Sequence, residues 1–187
     1  ANASPIQTLE DENLDYIVLN EGEITFPRLI DCIVKGKDPH SIQGIGYKKD
    51  GRINFTEPRP FIEKIDDIPF PAWDIIDHKP YRERFYDESN NRLNYVQVRP
   101  DCMPLFTSRA CPYRCIYCHK IFGKKYRPHS PERVLNEIDI LYDKFKVRQF
   151  DFYDDVFNLD RNRTIQILEG IIRRRKEGRD IKLTFFN

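Results

Sequence analysis

The feature that most constrains this chain is the run from Leu105 to His119, LFTSRACPYRCIYCH. It puts Cys111, Cys115 and Cys118 in a Cys-x3-Cys-x2-Cys triplet directly after a short apolar stretch. Thiolate sulfur is a soft donor that selects iron-sulfur clusters, zinc or copper(I), so three thiols this close in one loop point to a shared metal. A four-iron cluster usually takes four cysteines. With three on offer, one iron is left open for another ligand. Zinc is the competing reading, because Cys111, Cys115, Cys118 and His119 make a Cys3His set, although zinc sites more often pair two close ligands with two distant ones. There are 5 cysteines in all, and the stretch given is expected to carry no signal peptide. An odd count argues against a disulfide scaffold and for a reducing, cytoplasmic compartment.

The pattern around this loop is strand, helix, strand, helix, strand. Leu105 to Ser108 reads as a strand ending at the cysteine loop. Ser130 is an N-cap, with Pro131 at the first helical position and Glu132 in the first turn. Val134, Leu135, Ile138, Leu141, Tyr142 and Phe145 then keep helical period. Gln149 to Tyr153 is the second strand, and it runs into Asp154 and Asp155. A second helix, capped by Asp160 or Asn162, is expected to turn Ile165, Leu168, Ile171 and Ile172 inward, with Gly178 as its stop. Ile181, Leu183 and Phe185 make the third strand. Such alternation implies a parallel sheet with right-handed crossovers, and in barrels of this kind function sits at the C-terminal ends of the strands. The cysteine loop and Asp154-Asp155 both fall there.

Upstream, the acidic lead-in around Glu10 to Asp15 gives way to a buried strand at Tyr16 to Leu19. Glu21, Gly22 and Glu23 then read as an acidic glycine turn before a helix carrying Phe26, Leu29, Ile30, Ile33 and Val34 on one face, with Pro27 in its first turn. Asp50-Gly51 between two short alternating runs is a type I′ hairpin signal, since that turn needs positive φ at both centres. From Glu57 to Pro80 prolines punctuate Ile65, Ile68, Phe70, Trp73 and Ile76, which reads as a semi-rigid connector whose apolar residues dock on what it joins. Tyr95, Val96 and Val98 read as a brief strand. Cys32 and Cys102 lie outside the triplet and read as small packed residues.

The net charge of +1 carries no basic field of the kind that advertises nucleic acid. Lys124, Lys125 and Arg127, and the run Arg173 to Lys176, read as solvated ends rather than an RNA surface. No apolar run reaches the roughly 18 residues a membrane span needs. Beginning at Ala1 and stopping at Asn187 after a strand-like run, the chain is expected to be a piece of a longer protein.

With the aromatic Tyr117 just before its third cysteine, the triplet resembles the signature of the radical S-adenosylmethionine (radical SAM) enzymes. The resemblance implies a [4Fe-4S] cluster on Cys111, Cys115 and Cys118. SAM would occupy the open iron and be cleaved to methionine and a 5′-deoxyadenosyl radical by an electron from a partner such as flavodoxin or ferredoxin. It implies that Tyr117 lies beside the adenine through its main chain. Asp154 and Asp155, standing where the family often has Gly-Gly-Glu-Pro, would hold the ammonium of SAM, with alternation turning only one of them inward. The order Glu21-Gly22-Glu23, helix, hairpin, then Ile65-Asp66-Asp67-Ile68-Pro69-Phe70-Pro71 resembles the join between a cobalamin domain and the radical SAM domain in the cobalamin-dependent subclass. There Glu21, Gly22 and Glu23 would line the nucleotide side of the cobalamin site. The plainer reading of the two glutamates is a helix N-terminus that complements the dipole. The subclass usually has Gly-Glu-Gly-Glu, where this chain has Asn20 first, and the Asp-x-His-x-x-Gly cobalt-ligand motif is absent from it. The expected fold is therefore α/β. Residues 1–56 would be the C-terminal part of a Rossmann-like cobalamin-binding domain, 57–103 the connector, and 104–187 the start of a (βα)6-type barrel. The family acts on small-molecule substrates by methyl transfer, rearrangement or desaturation. Alternatives are a non-catalytic zinc or electron-transfer module and a tRNA-modifying methylthiotransferase.

Overall fold

A computed structural model of the chain describes residues 2–78, 80, 101–119 and 121–185. It resolves into two compact units, Ala1–Glu63 with Pro112–Lys124, and Lys64–Cys111 with Lys125–Asn187.

In the first unit a short helix, α1 (Pro5–Leu9), precedes β1 (Tyr16–Val18), α2 (Gly22–Val34), β2 (Ile45–Lys49) and β3 (Arg52–Phe55). The strands form an antiparallel sheet in the order β1-β2-β3. Asp50 and Gly51 turn the hairpin with φ of 52° and 70°, as a type I′ turn requires. Leu9, Ile17, Leu29 and Ile45 are buried. Two expectations for α2 are corrected. The helix begins at Gly22, so Glu21-Gly22-Glu23 is its N-terminus rather than a turn, and Pro27 lies inside it instead of in the first turn. Nor is the expected five-residue face the buried one. Thr25 and Leu29, one turn apart, are buried, while Phe26, Ile30, Ile33 and Val34 are exposed. Thr25 is drawn in by polar contacts, accepting from Arg59 Nε at 2.7 Å and donating to the Gln43 carbonyl.

The second unit holds β4 (Cys102–Leu105), β5 (Ser108–Arg109), β6 (Arg127–Pro128), α3 (Pro131–Phe145), β7 (Gln149–Phe152), α4 (Arg161–Lys176) and β8 (Lys182–Phe185). The parallel sheet runs β4-β7-β8. Its first strand lies earlier than the expected Leu105 to Ser108, because Ser108 and Arg109 pair instead with Arg127 and Pro128 in a separate antiparallel ribbon. Register aligns Met103 with Phe150 and Leu105 with Phe152, and these with Leu183 and Phe185. That face packs on Val134 and Ile138 of α3 and Ile167 and Ile171 of α4. Each large side chain buried there contributes about 1.5–3 kcal/mol. All of β7, the central strand of the sheet, is buried.

Both helices carry the caps their sequences promise. Ser130 Oγ accepts from the Arg133 amide at 3.2 Å, and Asp160 accepts from the Arg163 amide at 3.0 Å. Gly178, at φ 92°, follows the end of α4. The inward face of α4 is Arg163, Ile167, Gly170 and Ile171; Ile172, expected inside, is exposed, and Ile165 and Leu168 are half-buried. The basic run at the end of α4 is partly engaged within the fold. Arg174 meets Asp139, and Arg175 Nε donates to the Ile181 carbonyl.

Of the connector's apolar residues expected to dock, Ile76 is exposed, Ile68 is half-buried, and the others pack. Ile65 is buried, Phe70 lies under the Arg133 guanidinium at 3.5 Å, and Trp73 packs on the core of the second unit. The strand expected at Tyr95 to Val98 lies outside the described residues.

Candidate metal centre

Strands β4 and β7 are parallel neighbours, so the loops leaving their C-terminal ends emerge at the same edge of the sheet. One leads to the cysteines and the other carries Asp154 and Asp155. None of the three thiols is in a disulfide. Cys111 is half-buried, and Cys115 and Cys118 are exposed. Between β5 and β6 the described residues form neither helix nor strand. Cys111 belongs to the second unit and Cys115 and Cys118 to the first. Among the described residues no three histidine, cysteine or acidic side chains converge as a metal site. Tyr117 is 89% exposed, and His119 is also exposed. Cys32 sits in α2 and Cys102 in β4, both half-buried.

The two carboxylates after β7 differ in burial. Asp154 is 3% exposed and Asp155 is exposed. Asp154 accepts from Thr107 Oγ1 at 3.0 and 3.1 Å and from Ser108 Oγ. Burial pushes its carboxyl above the usual range, against the opposing pull of Ser108, Thr107 and the nearby Arg163 guanidinium. Arg163, itself 4% exposed, donates from Nη2 to the Thr107 carbonyl (2.7 Å) and hydroxyl (2.8 Å) and from Nε to the His129 carbonyl (2.7 Å). The His129 amide returns to the Thr107 carbonyl at 2.9 Å. Burial lowers the His129 imidazole pKa, the Asp66 carboxylate opposing it.

Sequence reasoning missed this network. Its one legible signal is Arg163, a charge in helical register with Ile167 and Ile171 on an apolar stripe. A second polar group went unread on the central strand. Gln149 Nε2 donates to Asp151 at 2.9 Å and to Thr184 at 3.2 Å, and Gln149 and Asp151 are buried. The acidic Asp151 between Phe150 and Phe152 was its signal.

In the first unit Glu21 is the N-cap of α2, and its Oε2 accepts from the Ile62 amide at 2.7 Å. Gly22 opens the helix and Glu23 lies in its first turn, complementing the dipole.

No family model matches the chain. It is 35% identical over 176 residues to an uncharacterised methyltransferase of Pyrococcus horikoshii, covering 91% of this chain and 34% of the relative. It is 30% identical over 166 residues to the anaerobic magnesium-protoporphyrin IX monomethyl ester cyclase of Rubrivivax gelatinosus, covering 86% of this chain and 28% of that enzyme. Among solved structures, the cobalamin-dependent S-adenosylmethionine radical enzyme OxsB superposes with a TM-score of 0.68 at 24% identity, over 97% of this chain and 24% of its own. The chain shares the fold of the corresponding part of that enzyme. The radical SAM methyltransferase TsrM of Kitasatospora setae has the same fold, with a TM-score of 0.60 at 20% identity over 92% of this chain and 32% of its own. The chain thus spans about a third of the length of the curated relatives it matches. The radical SAM resemblance carried by Cys111, Cys115 and Cys118 and the fold agree. Among the described residues no helix is long and apolar enough to cross a membrane.

Proposed function

We propose that this chain is the cluster-bearing part of a cobalamin-dependent radical SAM enzyme. Residues 104–187 would begin a (βα)6-type barrel, residues 1–56 would end a cobalamin-binding domain, and 57–103 would join them. The observation that carries the reading is the donor set, three closely spaced thiols outside any disulfide, in a chain whose fold is that of radical SAM enzymes. Three soft thiolates suit a [4Fe-4S] cluster, and an exposed loop without helix or strand can close on one without breaking a ladder. Held there, such a cluster supplies an open iron for SAM and the electron for its reductive cleavage.

The residues of the chain bind and orient. Cys111, Cys115 and Cys118 hold the metal, and the main chain at Tyr117 borders the adenine. Asp155, exposed at the C-terminal end of β7, accepts from the ammonium of SAM in a charge-assisted bond, while Asp154 is engaged by Thr107 and Ser108. Glu21, Gly22 and Glu23 border a cobalamin nucleotide. Methyl transfer is the favoured outcome for a small-molecule substrate, because named relatives include methyltransferases, among them the cytidylyl-2-hydroxyethylphosphonate methyltransferase of Streptomyces wedmorensis. Flavodoxin or ferredoxin is the proposed reductant.

The deciding experiment is anaerobic reconstitution of the intact protein, with iron and sulfide counted per chain, followed by assay for methionine and 5′-deoxyadenosine. About four irons with matching sulfide and reductant-dependent SAM cleavage are expected. A single zinc without sulfide would overturn the reading in favour of a Cys3His site.

A further inference from the structure

We propose that Arg163 and Asp154 are positioning residues that clamp the base of the cysteine loop and thereby set how its thiols meet a metal. The inference rests on the cluster reading above. The loop leaves the fold after Thr107-Ser108 and returns at Arg127 to His129, where β5 and β6 pair. Arg163 bonds both ends at once, taking the carbonyls of Thr107 and His129 at 2.7 Å each. The Thr107 hydroxyl accepts from Arg163 and donates to Asp154, so the two buried charges are joined through one side chain. Asp154 also receives the Ser108 hydroxyl.

Every member of this group is buried: Thr107, Ser108, His129, Asp154 and Arg163. Buried charges survive when paired and fully hydrogen-bonded, and such networks rigidify what they touch. Here they touch the residues from which an otherwise irregular loop departs. Pinning both ends of a loop lowers the entropy its ligands must lose on binding metal. Residues that orient ligands from behind in this way typically change metal affinity by 10- to 100-fold when altered.

The test uses the intact protein, reconstituted anaerobically, as wild type, Arg163→Lys, Asp154→Asn and the control Arg174→Lys. The control changes the same chemistry on the same helix, at the pair with Asp139. Iron release to a chelator and the electron paramagnetic resonance spectrum of the reduced cluster are measured alongside circular dichroism. Arg163→Lys and Asp154→Asn are expected to release iron about tenfold faster and to shift the g values, with the control matching wild type. Folded variants with wild-type release and spectra would overturn the clamp. Should either fail to fold, Ser108→Ala removes a single donor to Asp154 and carries the same test. Wild-type protein that took up no iron would sink the cluster reading itself, and this inference with it.

Discussion

Asp66 accepts a hydrogen bond from His129 Nδ1 at 2.9 Å and from the Ser130 amide at 3.1 Å, fastening the connector's 3-10 turn to the N-cap of α3. The acceptance fixes Nδ1–H as donor, and burial holds the imidazole pKa below its ordinary 6.5. The unfolded chain therefore binds more protons than the folded one at pH values between the lowered folded pKa and about 6.5. Stability from this group is full above that value and is lost as pH falls through it. Urea midpoints are expected to drop from pH 7.5 to pH 5.5, and to drop less in His129→Gln. An identical pH dependence in the two proteins would refute the assignment.

Cys111→Ala, Cys115→Ala and Cys118→Ala are each expected to abolish the brown chromophore of reconstituted protein, whereas Cys32→Ala and Cys102→Ala keep it, since these lie in α2 and β4. Iron counted per chain reads the outcome. Loss of iron in Cys102→Ala with retention in Cys111→Ala would reverse the ligand assignment.

Asp155→Asn is expected to leave the cluster in place and weaken SAM binding by roughly 1.5–3 kcal/mol, the worth of a hydrogen bond to a charged group. Equilibrium dialysis against labelled SAM measures it. Unchanged affinity would remove Asp155 from the site.

Gly170 lets α4 approach α3, since a Cβ there would stand 2.4 Å from Leu135 Cδ1. Gly170→Ala should cost about 1–3 kcal/mol by overpacking, partly offset by the better helix propensity of Ala. In a Leu135→Ala background the same change should become neutral or stabilising, a coupling that a double-mutant cycle of denaturation midpoints reads directly. Equal losses in both backgrounds would show that the contact is not the cause.

Local chemistry was legible without a structure wherever one segment decides its own conformation. The Asp50-Gly51 turn, the Ser130 cap with Pro131, the Gly178 stop and the strand-helix alternation from β4 to β8 all follow from backbone preferences within a few residues. What needed tertiary structure was every choice of partner. The face of α2 that is buried was set by Thr25 reaching Arg59 and Gln43, against a wider apolar stripe. Ser108 left the expected strand because Arg127 and Pro128 offered it a ladder. Asp154 and Asp155 are chemically identical neighbours. Only the Thr107 and Ser108 hydroxyls, more than forty residues away in sequence, separate a buried acceptor from an exposed one. Hydrogen bonds and packing between distant segments depend on where the backbone brings them, and periodicity within one segment carries no record of that.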